Sequence, residues 1–239
     1  MIEVSHLHKT FKKVKAVDDV SFHAKDGAIT GLLGHNGAGK STTLRILYGL
    51  LSADAGDASV DGLQVSDNPQ KVQECIGVMT DAHGLYPRLT AREHIQYFAE
   101  LRGMSRQDMN TRCDQLLQQL GMEDIAERRA EGFSQGEKMK VCLARSLVHD
   151  PQNIIMDEPT NGLDVMTTRS VRDILNSLKQ QNKCILLSSH IMQEISALCD
   201  EVIVIAEGKV LMQGSLEELR VLSGESDLED AFVKMTEQV

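Results

Sequence analysis

The sequence predicts an α/β fold with a mainly parallel sheet core, an antiparallel β part at the N-terminus and an inserted helical subdomain. Short apolar runs alternate with amphipathic helical segments over most of the chain, as in parallel sheets that helices cover on both faces. Residues 2–7 and 17–22 instead alternate apolar and polar side chains, a pattern typical of half-buried strands. Between about residues 82 and 150 helical signals predominate and strand patterns are scarce, which indicates the inserted subdomain.

The strands are predicted from apolar runs, from alternation and from the turn residues that separate them. Asp61-Gly62 is a hairpin signal between two short runs, and Glu207-Gly208 is a turn between the last two. In chain order the predicted strands cover residues 2–7, 17–22, 29–33, 58–60, 63–65, 76–79, 153–156, 184–188, 202–206 and 210–213.

The helices are predicted from apolar residues at helical spacing and from their start and stop residues. Thr90-Ala91-Arg92-Glu93 is a capping box, Ser105 is an N-cap, and Gly103 and Gly121 end the two helices that follow these starts. The predicted helices cover residues 42–49, 69–74, 91–102, 106–120, 136–147, 167–181, 191–198, 216–221 and 228–235.

Length and composition bound the class of protein. The 239 residues with 41% apolar content predict one domain over residues 1–239, with the helical subdomain at about 82–150 and a short helical tail at about 215–239. A net charge of −10 argues against a nucleic-acid partner. Five cysteines without a C-x-x-C pair indicate reduced thiols in a cytosolic protein, and we expect neither a signal peptide nor a membrane span.

One stretch points directly to chemistry, and it reads Gly34-His35-Asn36-Gly37-Ala38-Gly39-Lys40-Ser41. It lies between a predicted buried strand and a predicted helix, which is the context of a phosphate-binding loop. Glycines let the backbone N–H groups converge, and the helix N-terminus adds partial positive charge. Lys40 is placed for the β- and γ-phosphates and the Ser41 hydroxyl for Mg²⁺, so the motif predicts a P-loop that binds a nucleoside triphosphate, without saying which kind of NTPase this is.

Two further segments fit a nucleotide-hydrolysing site. Asp157-Glu158 follows a buried run, where Asp157 is placed to hold Mg²⁺ and Glu158 to polarise the attacking water. Ser134-Gln135-Gly136-Glu137 opens a helix and offers a hydroxyl and a bare backbone N–H as a second anion site. One ATP does not need two such sites in one chain, whereas a dimer does. A simple N-cap is the alternative for Ser134.

Three other positions are weaker candidates. Asp164 ends the polar turn Asn161-Gly162-Leu163-Asp164, which follows the acidic pair and is placed to reach a partner chain. His190 follows a predicted strand, at the ligand edge of a parallel sheet, although a lone histidine is more often structural. Phe11 lies in a polar turn, where it is either a stacking platform for a base or a core plug.

These segments, in this order, resemble the ATP-binding subunit of a bacterial ABC transporter, and the resemblance covers nearly the whole chain. The family's Walker A loop matches residues 34–41 with Thr42 beside it, its signature matches 133–137 and its Walker B matches 153–157. The resemblance implies that Glu158 is the catalytic glutamate and His190 the switch histidine. It also implies that the D-loop is 161–164 and that Phe11 stacks on adenine.

Two positions depart from the family pattern. Gln135 and Glu137 replace a glycine and the glutamine of the usual LSGGQ signature, while Ser134 and Gly136 are retained. The family's Q-loop glutamine falls on Asp81, which is still able to ligate Mg²⁺ or position water but carries a charge and a shorter side chain. The resemblance therefore predicts ATP and Mg²⁺ as ligands, with Ser41, Asp157 and Asp81 as metal-binding candidates.

The implied function is ATP hydrolysis that powers transport. The resemblance predicts a self-dimer across ATP and a separate multi-span permease, with the chain cytoplasmic and peripheral on the inner face of the cell membrane. The short tail favours an exporter, and the run from Met79 to Thr90 is similar to sodium-extrusion (NatA-type) and drug-export ATPases. A soluble ABC-type ATPase without transport, for example in iron–sulfur assembly, is the alternative, and a nucleotide kinase would not explain Ser134–Glu137 or His190.

Overall fold

The structure is a computed structural model that describes residues 1–80 and 84–237. Its strands are β1 (Ile2–Phe11), β2 (Val14–Ala24), β3 (Ala28–Leu33), β4 (Ala55–Val60), β5 (Leu63–Gln64), β6 (Ile76–Met79), β7 (Asn153–Asp157), β8 (Cys184–Ser189), β9 (Glu201–Ala206) and β10 (Lys209–Gly214). Its helices are α1 (Lys40–Leu47), α2 (Pro69–Cys75), α3 (Ala91–Leu101), α4 (Arg106–Gln119), α5 (Gln135–Ser146), α6 (Val165–Gln180), α7 (Met192–Leu198), α8 (Leu216–Ser223) and α9 (Leu228–Thr236).

The larger sheet has six strands in the order β10-β9-β3-β8-β7-β6. Strands β6, β7, β8, β3 and β9 are parallel, and only β10 pairs antiparallel, with β9. Because parallel strands end at the same edge, the loops that follow β3, β7 and β8 meet there. The predicted α/β fold with a mainly parallel core is confirmed.

The smaller sheet is antiparallel, with the strand order β2-β1-β4-β5. It confirms the predicted N-terminal antiparallel part, but β1 and β2 extend to Phe11 and Ala24, beyond the predicted ends. Register shifts interrupt the β1–β2 pairing, and His6 and Asp19 have φ of 49° and 67°. Such bulges break the period of two, so alternation alone underestimates these strands.

Helices α3, α4 and α5 lie between β6 and β7 in the chain. In residues 84–152 the structure describes no named strand, although Thr90 and Arg129 form an isolated antiparallel bridge. The predicted capping box is present at the start of α3: the Thr90 hydroxyl accepts from the Glu93 amide, and the Glu93 carboxylate accepts from the Thr90 amide. These helices follow the prediction closely, while the limits of the subdomain and of the C-terminal tail remain predictions.

Two helices, α1 and α6, begin two residues earlier than predicted, and α1 begins at Lys40 rather than Thr42. Helix α6 begins at Val165 rather than Thr167, because the Asp164 carboxylate accepts hydrogen bonds from the amides of Met166 and Thr167, both at 2.9 Å. The Asp164 cap therefore fixes the start of α6.

Two apolar clusters form the core on the two faces of the larger sheet. One contains residues of α3–α7 and α9, and the other joins α1 to the antiparallel sheet. Together they keep the phosphate-loop strand β3 buried, since Leu32 contributes to one cluster and Leu33 to the other. Within the part of the chain that the structure describes, no helix is long and apolar enough to cross a membrane.

Candidate nucleotide-binding site

The glycine-rich loop joins β3 to α1 and lies tightly against its neighbours. A Cβ added at Gly34 would lie 2.3 Å from the carbonyl oxygen of Ile205, and one at Gly39 would lie 2.4 Å from that of Ala16. Gly39 also has φ of +105°, a conformation that side chains rarely adopt. Strands β9 and β2 therefore set the shape of the loop, and only glycine fits at these two positions.

Lys40 begins α1 and is nearly buried beneath the loop. Its Nζ donates to the carbonyl oxygens of Gly34 at 2.7 Å and His35 at 3.3 Å, and lies 3.4 Å from Glu158 Oε1. The N-cap residue is Gly39, which has no side chain to satisfy the first amides of the helix. The loop and the start of α1 thus present an ammonium group and backbone N–H groups together, which suits a polyphosphate.

Asp157 ends β7 and is joined to two hydroxyls. Its Oδ1 accepts from Ser188 Oγ at 2.6 Å and from Ser41 Oγ at 3.2 Å. A carboxylate and a hydroxyl are hard oxygen donors of the kind Mg²⁺ binds, so this pair fits the predicted metal. Within the described residues no group of three or more His, Cys, Asp or Glu side chains forms a metal site.

Glu158 has an unusual backbone conformation, with φ of +51°. Its amide donates to Ser188 Oγ at 3.0 Å, so the Ser188 hydroxyl joins the backbone of Glu158 to the carboxylate of Asp157. His190 Nδ1 lies 2.9 Å from Glu158 Oε2. Because a carboxylate oxygen accepts, the imidazole Nδ1–H is the donor, and the contact holds the carboxylate at the edge of the sheet.

These groups surround one cavity of about 870 Å³. The phosphate loop, the acidic pair and His190 are predicted from the sequence to form one site. In the structure all three contribute residues to this cavity. Phe11, by contrast, is 44% exposed at the end of β1 and is absent from the cavity lining, with Lys9 Nζ 5.7 Å from its ring centroid. The lining residues are Ala16, His35, Asn36, Gly37, Gly39, Lys40, Ser41, Thr42, Arg45, Tyr48, Leu50, Leu51, Thr80, Asp157, Glu158, Asn161 and His190.

His35 connects the phosphate loop with the C-terminal end of the described chain. Its ring centroid lies 4.9 Å from that of Phe232 on α9, with the two planes tilted by 45°. Phe232 is only 5% exposed, and α9 also contacts α7, the helix that follows His190. No local pattern indicates this contact, because nearly two hundred residues separate the partners.

Ser134 begins α5 as its N-cap. Its hydroxyl accepts from the Glu137 amide at 3.2 Å, and the Glu137 carboxylate accepts from the Ser134 amide at 2.7 Å, which completes a capping box. A Cβ at Gly136 would lie 2.6 Å from Thr167 Cγ2, so α6 packs closely against this glycine. The segment therefore has a local structural role. Ser134 and Gln135 are still exposed to solvent, so this role does not prevent contact with a partner.

The predicted signature residues do not line the phosphate-loop cavity. Ser134, Gly136 and Glu137 line another cavity of about 280 Å³, together with residues of α6. Asp164 caps α6. The pKa of its carboxyl lies below the usual range because the carboxylate accepts hydrogen bonds, chiefly from the Thr167 amide and then from the Thr167 hydroxyl and the Met166 amide. Asp81 lies outside the described residues. The phosphate loop and the predicted signature segment thus line two separate cavities of one chain.

Two residues of the site were not predicted from the sequence. Ser188 bridges Asp157 and Glu158, and it does so because β7 and β8 pair with Asp157 opposite Ser188. Arg128 contacts the Glu137 carboxylate at 2.7 Å across nine residues. A hydroxyl at the end of a buried strand was the available signal for Ser188, whereas nothing in the sequence pattern distinguishes Arg128 from its neighbour Arg129.

Comparison with known proteins gives consistent matches along the chain. A family model for the ABC transporter matches residues 17–161. The ABC transporter ATP-binding protein NatA of Bacillus subtilis (strain 168) is 44% identical over 223 residues, which cover 93% of this chain and 91% of that protein. A solved ATP-binding subunit of an ABC transporter has a TM-score of 0.88 and 29% identity, covering 98% of this chain and 99% of that one. The solved dimer of MJ0796, a bacterial ABC transporter cassette, has a TM-score of 0.81 and 25% identity, covering 90% and 98%.

Proposed function

This chain belongs to the ABC transporter family of ATP-binding proteins and is an ATP hydrolase of that family, and on this premise we propose that two copies clamp ATP between them to drive an exporter. The observation that carries the proposal is that the phosphate loop and the predicted signature segment lie apart in one chain. The phosphate loop lines one cavity, and the Ser134 corner lines another. In a head-to-tail pair, each ATP would lie between the loop of one copy and the Ser134 corner of the other.

Binding of the triphosphate rests on the phosphate loop. The backbone N–H groups of Gly34–Ser41 and the Lys40 ammonium would hold the β- and γ-phosphates, with His35, Asn36 and Thr42 at the wall of the same cavity. In the structure the Lys40 Nζ contacts the Gly34 carbonyl oxygen and the Glu158 carboxylate. On binding ATP it would exchange these partners for phosphate oxygens. Phe11 stays a prediction as the adenine platform, and its exposed ring favours that role over a core plug.

Hydrolysis would depend on the groups at the ends of β7 and β8. Ser41 and Asp157 would hold Mg²⁺, which neutralises developing charge on the phosphates when bound. Glu158 would orient and deprotonate the attacking water, and His190 would fix the Glu158 carboxylate through its Nδ1–H. The left-handed backbone at Glu158 supports this assignment, since strained conformations cluster at functional sites.

The partner for transport would be a separate membrane permease that docks beside the helical segment. A groove of about 660 Å³ runs between β6, α3 and α5, and its lining includes Phe98, Leu101 and Arg145. Leu101 is 64% exposed, and the nearby rings of Tyr86 and Tyr97 are 50% and 39% exposed. Apolar surface of this kind marks a protein interface. The chain would then work at the cytoplasmic face of the membrane, with sodium ions or drugs as candidate cargo.

The experiment that tests the proposal uses the Glu158→Gln variant. Without the carboxylate that activates water, ATP should remain intact and hold two copies together, so light scattering after size exclusion should give twice the mass with MgATP but not with MgADP. Adding Lys40→Ala to this variant should abolish the dimer, because the phosphates lose their ammonium contact. A Glu158→Gln protein that stays monomeric at saturating MgATP would contradict the proposal.

A further inference from the structure

Glu137 places a negative charge at the site where the proposed dimer receives ATP. Its carboxylate lies at the N-terminus of α5, next to the Ser134 hydroxyl. Burial would raise the pKa of Glu137, but hydrogen bonds from the Ser134 amide and from Arg128 outweigh it and hold the pKa below its usual value. The side chain is therefore a carboxylate at neutral pH, close to where a triphosphate would approach.

Arg128 is the residue that contacts this carboxylate from outside the helix. Its Nη1 donates to Glu137 Oε1 at 2.7 Å, while Nη2 donates to the Gly132 carbonyl oxygen at 3.1 Å. The guanidinium carbon also lies 5.6 Å from the centroid of the buried Phe133 ring. These three contacts fix the guanidinium between the loop that leads into α5 and the first turn of that helix.

We propose that Arg128 is a positioning residue that neutralises Glu137 and keeps its carboxylate folded back on the Ser134 amide, so that the α5 N-terminus accepts the partner copy's ATP. The inference rests on the proposed function, because it concerns the face that receives nucleotide from the second copy. Without Arg128 the Glu137 charge would be unpaired beside the triphosphate, and like charges at an interface oppose association.

A purely structural role for Arg128 makes a different prediction. If the guanidinium served only to hold Gly132 and Phe133, its loss would disturb α5 whether or not residue 137 is charged. The substitution Glu137→Gln separates the two cases, because glutamine at this position also completes a capping box with Ser134. It removes the charge and preserves the cap.

The experiment compares four proteins in the Glu158→Gln background: the parent, Arg128→Met, Glu137→Gln and the double variant. The measured quantity is the MgATP concentration that gives half-maximal dimer by light scattering. A second readout is binding of a fluorescent ATP analogue at protein concentrations below dimerisation. Circular dichroism establishes folding, and Arg128→Gln, which keeps a polar side chain, serves if Arg128→Met does not fold.

We expect Arg128→Met to raise the half-maximal MgATP concentration by about tenfold or more, the effect of an unpaired like charge at an interface. The double variant should return to within about threefold of Glu137→Gln, because no charge then remains to be neutralised. Binding of the analogue to the monomer should be unchanged, since Arg128 acts on the partner's nucleotide.

Two results would overturn the inference while leaving the dimer intact. One is a parent that dimerises with MgATP while Arg128→Met and Arg128→Gln behave as the parent does. The other is a double variant as defective as Arg128→Met alone. A parent that remains monomeric would overturn the proposed function and this inference with it.

Discussion

At the residue scale, Ser188 is the side chain on which the acidic pair depends. Its hydroxyl is fully buried, accepts from the Glu158 amide and donates to the Asp157 carboxylate. Glu158 holds a left-handed conformation that costs on the order of 1 kcal/mol and persists only where neighbours over-determine it. Ser188 is the neighbour that fixes both the backbone at Glu158 and the orientation of Asp157.

Replacing Ser188 with alanine should therefore lower activity more than stability. We expect kcat for ATP hydrolysis to fall by about tenfold to a hundredfold, with a much smaller change in KM, because the hydrogen bonds position groups that act in the transition state. The measurement is steady-state ATPase activity, with unfolding followed by denaturant titration.

The matched control for this prediction is Ser189→Ala on the same strand. Ser189 is also fully buried, but its hydroxyl donates to Glu194 and accepts from the Ile191 amide. Both variants lose a buried hydroxyl, so both should lose similar stability. Equal losses of kcat in the two variants would show that Ser188 has no special role at Asp157 and Glu158.

At the scale of secondary-structure elements, α9 is the part of the C-terminal segment that reaches the nucleotide site. Phe232 is buried and contacts the His35 ring, and His35 lines the phosphate-loop cavity. Helix α9 is capped by Asp227, whose carboxylate accepts from the amides of Glu229 and Asp230. Through Phe232 this short helix contacts the predicted phosphate-binding loop.

Loss of the Phe232 ring should weaken nucleotide binding through His35. Phe232→Leu retains apolar burial but removes the ring contact with His35. Because such a contact is worth about 1 kcal/mol, we expect the KM for ATP to rise about threefold to fivefold with kcat little changed. Phe232→Ala should in addition lower the free energy of unfolding by about 3 kcal/mol.

Val233→Ala, at the next position of the same helix, is the control because this side chain is 44% exposed. It should leave both the KM and the unfolding midpoint near those of the parent. If Phe232→Leu also left the KM unchanged, α9 would be a packing element without influence on the nucleotide site.

At the scale of the whole molecule, the exposed apolar residues are distributed over different surfaces. Leu101 lines the groove beside the helical segment, whereas Leu222 lies on α8, and both are 64% exposed. Their equal exposure makes them a matched pair. If the groove is the permease-docking surface, only a charge at Leu101 should interfere with it.

The Leu101→Glu variant should therefore no longer associate with membranes that contain the permease, while the Leu222→Glu variant should still do so. Burying a carboxylate in an apolar interface without a partner costs several kcal/mol, so we expect at least tenfold less protein in the membrane fraction. Both variants should bind ATP as the parent does, because neither residue lines the phosphate-loop cavity. Equal membrane recovery of the two variants would place the docking surface elsewhere.

The local elements of this protein follow from the sequence because their causes lie within a few residues. The phosphate loop needs a buried run, glycines and a helix start in immediate succession, and all three are read directly from residues 29–49. The capping box at Thr90 and the turn at Asp61-Gly62 are equally local. Strand lengths at β1 and β2 were less predictable, since bulges arise from pairing with another strand.

What the sequence determined by itself was the family and the place of the glycine-rich loop between a strand and a helix, since spacing along the chain is enough to specify both. Only the tertiary structure decided that β8 lies between β3 and β7, which places Ser188 opposite Asp157 and His190 beside Glu158. The tertiary structure also brings Arg128 into contact with Glu137 and Phe232 into contact with His35, and it leaves Phe11 outside the cavity lining. Strand order and register arise from long-range pairing and burial, and the period of a single segment does not encode them.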